Sequence, residues 1–255
     1  MSPSALPPGY VRSAQGAAEL IARDWASDVL RDVLRAHRTL FHWAESQGDR
    51  EALRGRGVAW ATTIAPSSAA ATPVVVRHSR HGGMFAGVTG DLFLRPTRAP
   101  HELSAAVRLA EAGVATPEVI AYAVHPVAGV FARSDVMTRR LPPGRDFPAA
   151  WRADASPESR QAIIDAVAAL LRALSAAGAH HADINIKNVY IAGTGASATA
   201  FVLDVDRVSF GGTADAAARN FARFARSVRK WNERHNLGVG DDALVRLAAL
   251  AWVDG

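Results

Sequence analysis

Residues 180–193 read His-His-Ala-Asp-Ile-Asn-Ile-Lys-Asn-Val-Tyr-Ile-Ala-Gly, and they crowd hydrogen-bonding side chains in front of a short apolar run. Downstream, Phe201-Val202-Leu203 ends in Asp204. If the two apolar runs form a hairpin, Asn188 at the start of one strand lies near Asp204 at the end of the other. One carboxylate and one amide oxygen make a hard-oxygen pair. That pair suits Mg²⁺, which takes few protein ligands and completes its shell with phosphate oxygens and water. Asp183 is then left to orient an acceptor hydroxyl and receive its proton. These are the parts that phosphoryl transfer requires. A rival reading makes His180 and His181, beside Asp183, metal ligands of a hydrolase, although no further His/Asp set stands at metal-ligand spacing.

The elements around these residues can be read from periodicity. Residues 17–45 read as helix, with Leu30, Val33, Leu34, His37 and Phe41 at helical spacing. Between 57 and 94 the texture changes to strands, "VAWATTI", "PVVVRHS" and "DLFL". "APHELSAAVRLAEAG" is a helix stopped by Gly113, and "EVIAYAVH" and "GVFARSDVMTRR" are strands. "LPPGRDFP" reads as a linker. Ser156 and Pro157 open a core helix whose stripe is Ile163, Ile164, Val167, Leu170, Leu171 and Leu174, and Gly178 ends it. The catalytic-type stretch, a hairpin over 189–192 and 200–205, and two more helices follow. In "RNFARFARSVRKW" an apolar stripe (Phe221, Phe224, Val228, Trp231) lies beside a basic one (Arg219, Arg223, Arg226, Lys230). The basic stripe reads first as a solvated face and second as a contact for an acidic acceptor or anionic headgroups.

The chain has 255 residues, 49% hydrophobic and 21% charged, which is a globular composition able to bury a large core. It has no cysteine, which excludes disulfides, thiol catalysis and Cys-based zinc sites and suits a reducing cytoplasm. Net charge is +5 and the pI about 10.3, carried almost wholly by Arg; Lys187 and Lys230 are the only lysines. That balance favours an anionic partner. No recognition helix, RNA-binding aromatic motif or zinc motif accompanies the charge, so nucleic acid is not expected. No signal peptide or membrane span is read, and the expected location is cytoplasmic, with contact on a membrane from that side.

Six blocks, "GRGVAW", "VVVRHSRHGG", "TRAPHELSAAVRLAEAGVATPEVIAYA", "HADINIKN", "VLDVDR" and "RNFARFARSVRK", occur in this order from about residue 54 to 230. H-x-D-x-x-x-x-N followed by a strand ending in Asp is similar to the catalytic loop and metal motif of the protein-kinase-like superfamily. The six blocks together resemble the 3-deoxy-D-manno-octulosonic acid (Kdo) kinases of the lipopolysaccharide kinase family. The resemblance implies an α+β, bilobal protein-kinase-like fold. It has an antiparallel-sheet N-lobe with one helix, a mainly helical C-lobe, and an active-site cleft between them. The expected division is a helical extension over 1–52, an N-lobe over 53–138 and a C-lobe over 139–255.

The resemblance also implies roles. Asp183 is the catalytic base and His181 the structural His that braces the loop. Lys187 neutralises the transferred phosphoryl group, and Asn188 and Asp204 hold Mg²⁺. Gly55 and Gly57 form the turn over the phosphates, and Glu102 pairs with a basic residue of the central strand. Protein kinases place Lys there; this chain offers Arg77, with Arg80 as the fallback. An Arg bridges two phosphate oxygens through a wider fork. Trp60 replaces a third glycine, Val205-Asp206 follows the metal Asp, and Arg139 stands where a hinge acid is expected. The implied activity is ATP- and Mg²⁺-dependent phosphorylation of a Kdo hydroxyl on a lipid A precursor. The rivals are an aminoglycoside- or choline-type kinase and a nucleotide-binding scaffold without turnover.

Overall fold

The computed structural model describes residues 5–54, 57–67, 69–79, 91–211 and 213–252. The chain divides into two compact units, residues 1–104 with 118–140, and residues 105–117 with 141–255.

The first unit is built on a sheet. Its strands are β1 (Tyr10–Gln15), β2 (Ala18–Arg23), β3 (Glu51–Arg54), β4 (Val58–Ile64), β5 (Thr72–His78), β6 (Phe93–Leu94), β7 (Val119–Pro126) and β8 (Phe131–Arg139). Among the described residues the order is β1-β2-β7-β8-β5-β4-β3, with β6 against β8, and every pairing is antiparallel. Helices α1 (Asp24–Ala36) and α2 (Leu40–Ser46) close one face of it. Leu30, Leu40 and Trp43 from these helices pack with Ile64, Val74, Val76, Ile120 and Met137 from the strands. Helix α3 (Ala99–Glu111) follows β6, and Gly113 stops it at a φ of 76°, as the sequence suggests.

The helix expected from residue 17 begins only at Asp24, so residues 1–52 are not purely helical. Residues 10–23 form a hairpin that extends the sheet through β2 on β7. Gln15 pairs with Ala18, leaving a two-residue Gly16-Ala17 turn with Gly16 at a φ of 59°. Leu20, Ile21 and Ala22 are buried in succession, which strand pairing satisfies and a one-faced helix cannot. Burial pushes the Tyr10 phenol up to about 12, and its hydroxyl donates to the Val119 carbonyl.

His78 ties three strands or strand ends together. Its Nδ1 lies 2.6 Å from Asp135 Oδ1 and its Nε2 lies 2.9 Å from Asp91 Oδ2. Both ring nitrogens face carboxylates, so the ring is held as imidazolium. Burial opposes that charge, but Asp135 and Asp91 outweigh it and the net shift is upward.

The second unit is mainly helical. It holds α4 (Phe147–Ala153), α5 (Pro157–Ala176), α6 (Thr213–His235) and α7 (Asp241–Ala251). The Ser156 hydroxyl caps α5 by accepting from the Ser159 amide at 3.3 Å, and the expected apolar stripe is buried. Phe147 meets Phe224 of α6 edge-on at 5.3 Å. The segment expected as a linker contains β9 (Gly144–Asp146), which pairs with β11 (Val189–Ala192), itself paired with β12 (Thr199–Val202). A Cβ on Gly144 would stand 2.1 Å from the Ile191 carbonyl oxygen, so only glycine fits there. Finally, β10 (Ala179–His181) pairs with β13 (Val208–Phe210). This second pairing folds the chain after β12 back onto the segment before β11. Among the described residues, no helix is long and apolar enough to cross a membrane.

Candidate active site

The loop from Ala182 to Asn188 alternates in burial. Ile184 and Ile186 are fully buried, while Asp183, Asn185, Lys187 and Asn188 face outward to differing degrees. Burying each isoleucine contributes about 1.5–3 kcal/mol, which pins the loop while leaving its polar side chains available. Asn185 shapes the turn. Its Oδ1 accepts from the Lys187 amide at 2.9 Å, and its carbonyl accepts from the Asn188 amide at 2.9 Å.

His181 is fully buried and braces two segments at once. The Asp183 amide donates to its Nδ1 at 3.1 Å. That amide can only donate, so Nδ1 carries the lone pair and Nε2 carries the proton, which it gives to the Leu203 carbonyl at 3.1 Å. Burial pushes the imidazole pKa down, against a smaller upward pull from the Leu203 carbonyl and from Asp204, so the ring is neutral. Both nitrogens are therefore committed, and the rival reading of His181 as a metal ligand fails.

The two halves of the metal motif meet through backbone pairing. Val189 pairs with Val202, and the Leu203 amide donates to the Asn188 carbonyl at 2.8 Å, extending the ladder by one step. Asp204 follows immediately, in the left-handed region at φ 58° and ψ 52°. A short 3₁₀ turn, Val205–Arg207, then carries the chain to β13. Asp tolerates that conformation better than most residues, at a cost of about 1–2 kcal/mol. The strained position exposes its carboxylate at the end of the hairpin.

Asn188 Nδ2 donates to the Asp183 carbonyl at 2.9 Å, which fixes the sense of its amide and turns Oδ1 the other way. Among the described residues no three His, Asp or Glu side chains converge into a metal cluster. The Asp204 carboxylate and the Asn188 amide oxygen are donors of the kind that Mg²⁺ takes, without the His or Cys donors typical of zinc sites.

The cations stand differently from expectation. The Lys187 ammonium is paired with the Asp146 carboxylate and lies 5.8 Å from the Trp231 ring centre. Arg223 of α6 reaches the Asp183 carboxylate, with its Nη2 2.9 Å from Asp183 Oδ1. Arg223 belongs to the basic stripe whose first expected role is a solvated face. Also from α6, Asn220 brackets β10: its Oδ1 accepts from the His181 amide at 3.0 Å, and its Nδ2 donates to the Ala179 carbonyl at 2.8 Å. Asn220 is fully buried, and it escaped the sequence reading altogether. An amide among Phe and Ala in an amphipathic helix was the signal that could have found it.

In the first unit, Arg77 of β5 forms an ion pair with the Glu102 carboxylate, which is nearly buried. Gly57 is exposed and stands immediately before Val58, which pairs with Arg54. Gly55 and Arg80 lie outside the described residues. Arg139, placed where an acid was expected, donates to Glu118 at 2.8 Å, and Arg23 reaches the same carboxylate at 2.7 Å.

Residues 42–239 match the sequence model of the "Lipopolysaccharide kinase (Kdo/WaaP) family". The chain belongs to that family. A solved structure described as "WaaP in complex with acyl carrier protein" is similar in fold, with a TM-score of 0.56 and 19% sequence identity. The likeness covers 92% of this chain and 89% of that one, and it makes the fold protein-kinase-like. No curated protein matches the chain. Membership in the Kdo/WaaP family makes the protein a lipopolysaccharide kinase by family and a phosphotransferase by implied activity.

Proposed function

We propose that this protein transfers the γ-phosphoryl group of ATP to a hydroxyl of a Kdo sugar on a lipid A precursor. The observation that supports this best is the convergence of Asp183, Asn188 and Asp204 through the β11–β12 ladder and the His181 brace. Asp183 accepts the hydroxyl proton as the sugar oxygen bonds to phosphorus and the bond to ADP breaks. Asn188 and Asp204 hold Mg²⁺, which when bound offsets phosphate charge. Arg77, tethered by Glu102, and Gly57 serve the phosphates, with Gly55 beside it in sequence. Lys187 serves the transferred group once it leaves Asp146.

The Kdo carboxylate and lipid A phosphates are anionic, and the exposed cations of α6 suit such an acceptor. The same face suits peripheral contact with an anionic membrane surface from the cytoplasmic side. A cationic acceptor of the aminoglycoside or choline type would call for an acidic rim instead.

The test is a panel of Mg·ATP reactions with Kdo-lipid A, aminoglycosides and choline, with one arm supplying acyl carrier protein because the solved WaaP structure contains it. Phosphorylation of Kdo-lipid A alone supports the proposal. Phosphorylation of a cationic acceptor replaces it with the rival kinase, and Mg·ATP binding without turnover on any arm replaces it with the scaffold.

A further inference from the structure

We propose that Arg223 is a positioning residue, which aims the Asp183 carboxylate at the acceptor hydroxyl. The inference rests on the reading of Asp183 as the base.

Three side chains of α6 hold the segment around Asp183. Asn220 binds the backbone of Ala179 and His181, Arg223 binds the Asp183 carboxylate, and Ser227 Oγ accepts from the Ile186 amide at 3.2 Å. They stand three and seven residues apart, which places them on one face of the helix. Phe224 and Val228, both fully buried, fix how that face is presented.

The main chain at Asp183 is already bound on both sides. Its amide is on His181, and its carbonyl accepts from Asn188 and, at 3.3 Å, from Asn185. Arg223 acts on the side chain, which turns through two torsions. A guanidinium on Oδ1 sets the carboxylate plane and therefore the direction of Oδ2. A base works only within hydrogen-bond reach of the proton it takes, so direction governs rate. Misplacement of a reacting group by about 1 Å costs on the order of a hundredfold.

Two features separate this role from fold stabilisation. The Arg223 side chain is 45% exposed, and an ion pair so wetted contributes little to stability. The rival cation, Lys187, is engaged with Asp146.

The full chain is tested as R223A and R223K, on the acceptor that the wild type phosphorylates. R223A should lose about ten- to a hundredfold in kcat, with KM for ATP and the melting temperature nearly unchanged. R223K should recover part of the loss. Because the site is open to solvent, added guanidinium at low millimolar concentration should raise turnover of R223A and leave D183N inactive. Undiminished kcat in R223A overturns the inference. So does a rise in acceptor KM at constant kcat, which would make Arg223 an acceptor contact. A large fall in melting temperature would make it a structural residue. A wild type that phosphorylates no acceptor removes the base, and this inference with it, whereas an active wild type matched by R223A removes this inference alone.

Discussion

Asn220 offers the sharpest test of how the active segment is held. The Asn220→Ala substitution removes an acceptor from the His181 amide and a donor from the Ala179 carbonyl. Ala179, His181 and Asn220 are all fully buried, so water does not replace the lost partners. Each buried polar group left unpaired costs about 1–3 kcal/mol, so the two together cost about 2–6 kcal/mol. Against a total stability of about 5–15 kcal/mol, that is a large fraction. Asn220→Asp keeps the acceptor for His181 but sets a carboxylate oxygen against the Ala179 carbonyl, so it retains only part of the bracket. Urea unfolding of the three proteins should rank wild type above the variants by these amounts. Hydrogen exchange at the His181 amide should accelerate in Asn220→Ala well beyond the change in residues of the first unit. If Asn220→Ala unfolds within about 0.5 kcal/mol of wild type, the range ordinary for surface substitutions, the bracket is not holding the segment.

His181 and His78 should give opposite pH trends. The folded pKa of His181 lies below its unfolded value of 6.5, so its stabilisation is complete above that value and is lost as pH falls through the folded one. The penalty of H181Q should therefore shrink on acidification, by up to about 1.4 kcal/mol per pH unit in that window. His78 is shifted up, so its contribution is complete below 6.5 and lost as pH rises through the folded value, and the penalty of H78Q should shrink toward alkaline pH. Chemical unfolding across a pH series reads both; parallel trends would contradict the assigned protonation states. Gly144→Ala forces a Cβ into the Ile191 carbonyl and should cost about 1–3 kcal/mol, seen as a lower melting temperature. D204N should keep its melting temperature, because Asn also accepts the left-handed backbone, while turnover falls steeply with the loss of the metal carboxylate. Equal turnover in D204N and wild type would rule out the proposed role of Asp204 in holding Mg²⁺.

The pairing that brings the candidate site positions together was legible because it is local. H-x-D-x-x-x-x-N spans one turn, and the apolar run ending in Asp204 announces its partner strand, so a hairpin brings Asn188 and Asp204 together. The α5 cap and stripe were legible for the same reason: Ser156, Pro157 and the leucines act within a turn or two. Contacts that depend on tertiary pairing were hidden. Residues 18–23 have helix-tolerant side chains, yet β7 claims them as a strand, and propensity yields to that pairing. Gly144 looks like linker punctuation until β9 is laid against β11. Arg223 sits in a stripe of like residues, and nothing in the spacing marks it out as the one that reaches Asp183. Lys187 stands at the expected position, but its ammonium goes to Asp146, a residue far away in sequence.

By the proposed function, Asp183 takes the proton of an acceptor hydroxyl during transfer from ATP. Single-turnover transfer of labelled γ-phosphate to Kdo-lipid A, by wild type and by D183N at equal ATP occupancy, tests it most directly. The account predicts transfer by the wild type and a loss on the order of 10²–10⁴ in D183N with nucleotide binding retained. Equal rates in the two proteins would contradict it.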